Sequence, residues 1–363
     1  MQTRRDLLKA AAALAAAPLG AAPAPQRTLL ILGGTGFIGP HLTRDAQRLG
    51  WKVTHFNRGK RGTGDLEGVE TLIGDRKGQL DALRHRRWDA MVDDTGYIPK
   101  YCRMSAQLLA PEVRYALFIS SISVYDSFAH PNDEHGALGK LKAEDAQSEN
   151  VTETSYGPMK VLCEQSVQQA FPKRASIVRP GYIVGPLDPT DRFTYWPVRY
   201  ARGGEMLVPG TPQDPIQIID VRDLTAWMMQ LVGARTVGVF NAVSAPRQFT
   251  MGQLIDACRE AAPEIKTEVT WVPEQFLAKQ WKPEELDLPP WAPLEGDSAG
   301  ASLTSTTLAE HAGLHCRPLA ETVRDTLQWF RTLPAERRAK MRPGLDAQRE
   351  DDTLRAWHKS QKA

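Results

Sequence analysis

Cysteine is scarce in this chain. The four present, Cys102, Cys163, Cys258 and Cys316, are scattered with no C-x-x-C spacing, so no metal site is expected. An excess of charge is also missing. Lys and Arg number 45 against 43 Asp and Glu, with no basic run beyond the N-terminal segment, which argues against a nucleic-acid surface. No internal repeat is visible. The apolar run Ala10–Ala17 is far short of the roughly 20 residues that cross a bilayer, so no permanent membrane anchor is expected.

What precedes that run has the form of an address. Thr3-Arg4-Arg5-Asp6-Leu7-Leu8-Lys9 is a twin-arginine pattern, and small residues and prolines continue through Pro25. Residues 1–26 are therefore read as a cleaved export signal for the twin-arginine machinery, which gives a periplasmic location. Ala22-Pro23-Ala24 fits the small-x-small rule for cleavage. Proteins using that route fold before export, commonly around a cofactor trapped in the cytoplasm. An oxidising compartment permits disulfides, but Cys163 reads as a small buried hydrophobe.

The remaining stretch of about 340 residues suffices for one large α/β domain and a smaller lobe. Strands are predicted at Thr28–Leu32, Lys52–Phe56, Glu70–Ile73, Asp89–Asp93, Arg114–Ser120, Ser176–Val184, Ile216–Val221 and Gly238–Val243. Helices are predicted from Ile38 to about Leu49 and over Gln79–His85, Lys100–Leu109, Ser155–Ala170, Arg222–Val232, Met251–Ala261, Leu319–Thr332 and Ala347–Lys359. This alternation predicts an α/β fold with a doubly wound parallel sheet. Residues 27–185 form its dinucleotide-binding domain. Residues 186–363 form a smaller substrate lobe, interleaved with late sheet elements over 216–244. Proline-rich stretches at Pro186–Pro197 and Pro209–Pro215 read as loops.

Gly33, Gly36 and Gly39 recur every three residues after the first strand and open a helix. The first permits a tight turn, the second lets backbone approach a pyrophosphate, and the third lets helix pack on strand. The helix start adds free N–H groups and a positive dipole. The cofactor site is thus Gly33, Thr35, Gly36, Phe37, Ile38 and Gly39, a Rossmann arrangement for NAD(P). The second strand ends Phe56-Asn57-Arg58-Gly59-Lys60-Arg61, with no carboxylate for a ribose 2′-hydroxyl. Arg58, beside Asn57, suits a 2′-phosphate and slightly favours NADP; a basic solvated loop is the alternative. Asp75 is placed either to touch the adenine edge or to cap a following helix.

Tyr156 and Lys160 stand four apart on one helix, so hydroxyl and ammonium can share a cleft. A neighbouring cation lowers the phenol's pKa toward working pH, as proton shuttling requires. With the Ser120-Ser121-Ile122-Ser123-Val124-Tyr125 strand end and Arg179-Pro180-Gly181, the chain resembles the extended short-chain dehydrogenase/reductase family, in its NAD-dependent epimerase/dehydratase branch. The resemblance covers Thr28 to about Leu333. It implies an oxidoreductase or epimerase in which Ser121 orients the reacting oxygen, Tyr156 moves the proton and Lys160 holds the nicotinamide ribose. Ser123 is the second choice for the hydroxyl. Thr95 and Tyr97 are expected near the nicotinamide side, although packing alone would also explain Tyr97. Relatives imply a homodimer as well.

Departures bear on the substrate. Family members acting on nucleotide-diphosphate sugars carry an Arg-Asp-Tyr/Phe-Ile-His-Val strand, and the matching segment here is Ile216-Gln217-Ile218-Ile219-Asp220-Val221. Ile216 takes the place of the phosphate-gripping Arg, which weakens the case for a nucleotide sugar. Arg192, Tyr195 and Trp196 are expected in a loop over the cleft, either stacking on a sugar ring or packing as a lid. The leader adds a further expectation. Free dinucleotide is scarce outside the cytoplasm, so the cofactor is expected to be tightly bound and regenerated in each cycle on a non-nucleotide carbohydrate or polyol. The alternatives are a conventional NADP-dependent ketone or sugar reductase and an RNA-binding relative. The second is suggested by Arg58-Gly59-Lys60, which also resembles the chloroplast stem-loop RNA-binding relatives.

Overall fold

The computed structural model describes residues 26–62, 66–282, 286, 288–341 and 344–362. The twin-arginine segment and its cleavage site lie outside the described residues.

Six strands follow one another in the first half: β1 (Thr28–Leu32), β2 (Lys52–Asn57), β3 (Glu70–Ile73), β4 (Ala90–Asp93), β5 (Ala116–Ile119) and β6 (Ala175–Pro180). Shorter strands come next: β7 (Tyr182–Val184), β8 (Gly204–Pro209), β9 (Pro215–Ile216) and β10 (Ile218–Asp220). They are followed by β11 (Gly238–Ala242), β12 (Phe249–Thr250) and β13 (Thr267–Val272). The main sheet has seven strands in the order β11-β6-β5-β4-β1-β2-β3, and every pairing in it is parallel. Chain order reverses between β1 and β4. In open α/β sheets a ligand crevice forms at that switch point, beyond the carboxyl ends of the strands.

Leu29 and Ile31 of β1 face one apolar core, Leu30 and Leu32 the other, and all four are buried. That is the double burial expected of a central parallel strand. Helix α1 (Ile38–Arg48) covers the first face. Helices α2 (Pro99–Leu109) and α3 (Glu153–Ala170) pack together on the second. Helix α3 starts at a capping box: Thr152 Oγ1 accepts the Ser155 N–H, and Ser155 Oγ accepts the Thr152 N–H. The pair satisfies two N–H groups that a helix start otherwise leaves bare.

A third core lies in the second lobe. It gathers residues of α4 (Tyr195–Tyr200), α6 (Met251–Ala261), β8 and the 319–332 helix around Trp196, Trp281 and Trp291. Helix α5 (Val221–Ala234) returns to the main sheet and packs against α1.

Several sequence expectations need correction. The segment Gln79–His85 holds only a single tight turn at Asp81–Leu83, because His85 takes a left-handed conformation (φ 59°) that ends it. The predicted strand Ser176–Val184 is two strands in two sheets. Pro180 has no N–H to continue the ladder, and at Gly181 the chain leaves the main sheet so that β7 pairs with β10. Gly181 is tightly held there, since a Cβ would lie 2.8 Å from Val243. The predicted strand Ile216–Val221 is likewise split, β9 pairing with β12 and β10 with β7. Strand β8, parallel to β13, was not anticipated.

Candidate active site

The turn from β1 into α1 gives each glycine a separate physical task. Gly33 sits at φ +115°, where side chains are strained, and a Cβ would strike Thr95 at 2.7 Å. A Cβ on Gly39 would lie 2.3 Å from the Gly34 backbone, so only glycine lets helix meet strand. At Gly36 a Cβ would meet nothing within 4 Å, so the backbone there faces open space. Thr35, Phe37 and Ile38 complete the turn. Helix α1 has no side-chain cap and no acid in its first turn. Its N–H groups and positive dipole thus remain available to an anion, and the turn fits a dinucleotide diphosphate.

Two neighbouring elements brace the turn. Thr95 Oγ1 donates to Leu32 O at 3.1 Å. Asp94 hydrogen-bonds the Gly34 backbone, and burial with Asp93 alongside pushes its carboxyl up to about 7, despite opposition from Lys160. On the other side, the fully buried His55 donates or accepts at Thr43 Oγ1 (2.8 Å), and burial drives its pKa down to about 4.

The adenosine side is looser. Asn57 Nδ2 donates to Gly33 O at 3.3 Å and its Oδ1 accepts the Gly59 N–H at 2.8 Å, clipping the end of β2 to the turn. Arg58 is exposed. Asp75 caps no helix; its carboxylate accepts the Lys77 N–H at 3.0 Å and closes a turn after β3. The next residue, Arg76, forms a two-pronged bond to buried Asp93 at 2.7 and 2.8 Å. That buried clamp fixes the β3 turn to the end of β4, and sequence reasoning missed it.

The catalytic candidates converge at the ends of β4 and β5. Lys160 is 3% exposed, and its ammonium donates to Gly96 O at 2.8 Å and Ile119 O at 2.6 Å. An ammonium has three donors, so one remains for a ligand. Burial lowers the Lys160 pKa, against the pull of Cys163 and Asp93. The ammonium also lies 5.2 Å from the centre of the Tyr97 ring, and that ring lies 6.4 Å from the Tyr156 ring. Tyr97 is 47% exposed. Ser121 lies close enough to the Tyr156 side chain to oppose the rise of its pKa, and its Oγ donates to Ser123 Oγ at 3.0 Å. Ser121, Tyr156 and Lys160 are therefore brought together, with Ser123 one bond further out.

One electrostatic expectation is reversed. Burial raises the Tyr156 pKa, and the influences opposing it are the nearby Ser121 hydroxyl and the charge of Arg192. Lys160 is committed to two carbonyls, so the cation that tempers Tyr156 comes from the loop after β7. Tyr195 and Trp196 also require correction. They start α4, are 3% and 1% exposed, and belong to the second-lobe core, where Trp196 Nε1 donates to Pro289 O. Side chains so buried cannot stack on a sugar. Arg192 alone of that group is exposed.

Gly157 is a further positioning residue that was overlooked. A Cβ there would lie 1.9 Å from Ser123 O, so glycine lets α3 approach the Ser121–Ser123 turn closely enough for Tyr156 to meet Ser121. A glycine inside a helical pattern was the available signal. Behind the site, Arg179 binds Glu164 of α3 through two bonds (2.9 and 2.7 Å) and reaches the Tyr125 hydroxyl at 3.2 Å. Ile216 is fully buried, and Asp220 caps α5 while bonding Arg222 and Thr322. Neither offers a free cation to a diphosphate.

Comparison with known proteins agrees with this geometry. A chloroplast stem-loop binding protein of 41 kDa from Arabidopsis thaliana is 27% identical over 282 residues, 69% of this chain and 68% of that protein. The Bordetella bronchiseptica enzyme WbmH, solved with NAD+, superposes with a TM-score of 0.58 at 17% identity, covering 84% of this chain and 98% of that one. The UDP-glucuronic acid 4-epimerase from Bacillus cereus, solved with NAD, gives 0.61 at 12% identity over 88% and 99%. These structural likenesses speak for the fold. The family model for NAD-dependent epimerases and dehydratases matches residues 29–242, more than half of the chain. The protein is an enzyme belonging to the NAD-dependent epimerase/dehydratase family.

Proposed function

We propose that this enzyme carries out a redox-neutral conversion of a non-nucleotide carbohydrate or polyol, with a dinucleotide that stays bound between turnovers. The observation that carries the reading is the meeting of Ser121, Tyr156 and Lys160 beside the β1–α1 turn. Bound nicotinamide supplies a hydride acceptor that gives the hydride back later in the cycle. Tyr156 takes the proton of a substrate hydroxyl as its carbon is oxidised to a ketone, and returns a proton on rereduction. Ser121 donates a hydrogen bond to the reacting oxygen in both directions. The third Lys160 donor is available to a cofactor ribose hydroxyl, while the charge that favours the Tyr156 phenolate is that of Arg192. Rereduction from the other face gives an epimer, and elimination between the two steps gives a lyase-type outcome.

Buried Ile216 in place of a clamping arginine supports a substrate without a diphosphate. The twin-arginine segment supports export to the periplasm with the dinucleotide already folded in. Exposed Arg58 leans the cofactor toward NADP, while NAD matches the family name. A homodimer belongs to the same proposal.

The test is to purify the protein from periplasm and measure bound dinucleotide by mass spectrometry. Stoichiometric nucleotide is the expected result. Empty protein that turns over only with added NADP would support a conventional reductase instead. A second reading, RNA binding, draws on the name of the Arabidopsis relative. Near-neutral net charge weighs against it, and binding of a stem-loop RNA that survives raised salt would favour it.

A further inference from the structure

Tyr97 stands open to solvent at the catalytic end of the cleft, 47% exposed, although an aromatic ring gains by being covered. Its surroundings hold it in place. The Tyr97 N–H donates to Thr95 O at 3.1 Å, and Pro99 opens α2 two residues further on. The Lys160 ammonium lies 5.2 Å from the Tyr97 ring centre and 4.3 Å from that of Phe118. Two carbonyl bonds pin that ammonium, which is itself almost fully enclosed. The side of the Tyr97 ring toward Lys160 is therefore covered, and the exposed area lies on the side away from it. The Tyr156 ring is 6.4 Å away, with its plane inclined by 35°. Beyond it, Ser121 is half-buried and Ser123 exposed. The open aromatic surface and the proton-transferring phenol thus belong to one cleft.

We propose that the substrate is a cyclic sugar, a pyranose whose C–H face lies on the open side of the Tyr97 ring while one hydroxyl reaches Tyr156. A pyranose presents several C–H bonds on one rigid face, and dispersion adds up over such a face. The negative face of an aromatic ring also favours the slightly positive hydrogens turned toward it. An open-chain polyol carries the same hydroxyls but no rigid face, and ordering it on the ring costs rotational freedom. The inference rests on the active-site reading above and narrows its carbohydrate or polyol to the closed ring.

The test measures binding to the purified protein by calorimetry, using probes that share hydroxyls but differ in ring closure. Methyl β-D-glucopyranoside is paired with sorbitol, methyl β-D-galactopyranoside with galactitol, and benzyl alcohol stands for an aromatic substrate. The panel is repeated on Tyr97→Phe, which keeps the ring, and Tyr97→Ala, which removes it. At least one glycoside is expected to bind about tenfold tighter than its open-chain partner, the upper end of what a ring contact supplies. Y97F should keep that preference and Y97A should lose it, with dinucleotide content unchanged in both. Equal binding of rings and open chains, a preference that survives Y97A, or one lost in Y97F as fully as in Y97A would each overturn the proposal. So would tighter binding of benzyl alcohol, or no binding of either glycoside. Loss of bound dinucleotide in Y97A would also overturn it, by assigning the ring to the nicotinamide. A bound dinucleotide without ring preference defeats this inference alone. Ring preference in protein lacking any dinucleotide defeats the redox-neutral reading alone.

Discussion

At the Tyr156 end of the cleft the functional side chains are fastened by buried partners, whereas at the Arg58 end they ride on exposed turns. Lys160 is locked between two carbonyls and Arg179 is doubly bonded to Glu164 on the helix that carries Tyr156. Arg58 is exposed, and Asp75 does no more than close its own turn. The difference teaches where precision is spent. Proton transfer fails with small displacements, while grip on a long cofactor is shared among many contacts. Substitutions at the first end should therefore be severe, and those at the second mild.

The largest effect is expected for Tyr156→Phe. Turnover should fall by roughly 10²–10⁴-fold, the usual worth of a positioned acid–base group, with bound dinucleotide and circular dichroism unchanged. Retained turnover would break the comparison at once. Gly157→Ala comes next. Forcing a methyl group against Ser123 O should cost about 1–3 kcal/mol in chemical denaturation and should reduce turnover by moving Tyr156 away from Ser121. Wild-type stability in that variant would mean that the close approach of α3 is unimportant.

Asp94→Asn probes the middle of the cleft, with a sign that depends on pH. The folded carboxyl holds its proton up to about 7, while the unfolded chain releases it near the ordinary aspartate value of about 3.9. Stability contributed at this position therefore falls as pH rises from about 4 to 7. The asparagine should raise the melting temperature at pH 8 and leave it unchanged near pH 4. Its side-chain oxygen can still accept the Gly34 hydrogen bond. A rise of the same size at both pH values would contradict the assignment. The mildest effect is expected for Arg58→Gln: NADP affinity should weaken by about tenfold, some 1.4 kcal/mol, with little change for NAD. Equal loss for both would make Arg58 a general phosphate contact.

Features encoded by near neighbours were legible in the sequence. The glycine turn follows from spacing within seven residues, and Tyr156 with Lys160 from one helical turn. The alternating strands and helices predicted the parallel sheet because each element carries its own apolar pattern. Features that depend on distant packing were not legible. Which cation faces Tyr156 is decided by Arg192, on a loop far along the chain. The short helix of Tyr195 and Trp196 was hidden by prolines that mark loops elsewhere, and its burial depends on Pro289 and the second-lobe core. The pairing of β8 with β13 depends on a register that local pattern does not specify.

The passage of the chain from β6 to β7 across a single wedged glycine bears on how cargo enters and leaves. Backbone crosses between the sheets again between β9 and β10, and once more after β11. A relative movement of the two lobes would bend the chain at each of these crossings together. Entry and release therefore engage every crossing at once, Gly181 included, where an added side chain would meet Val243.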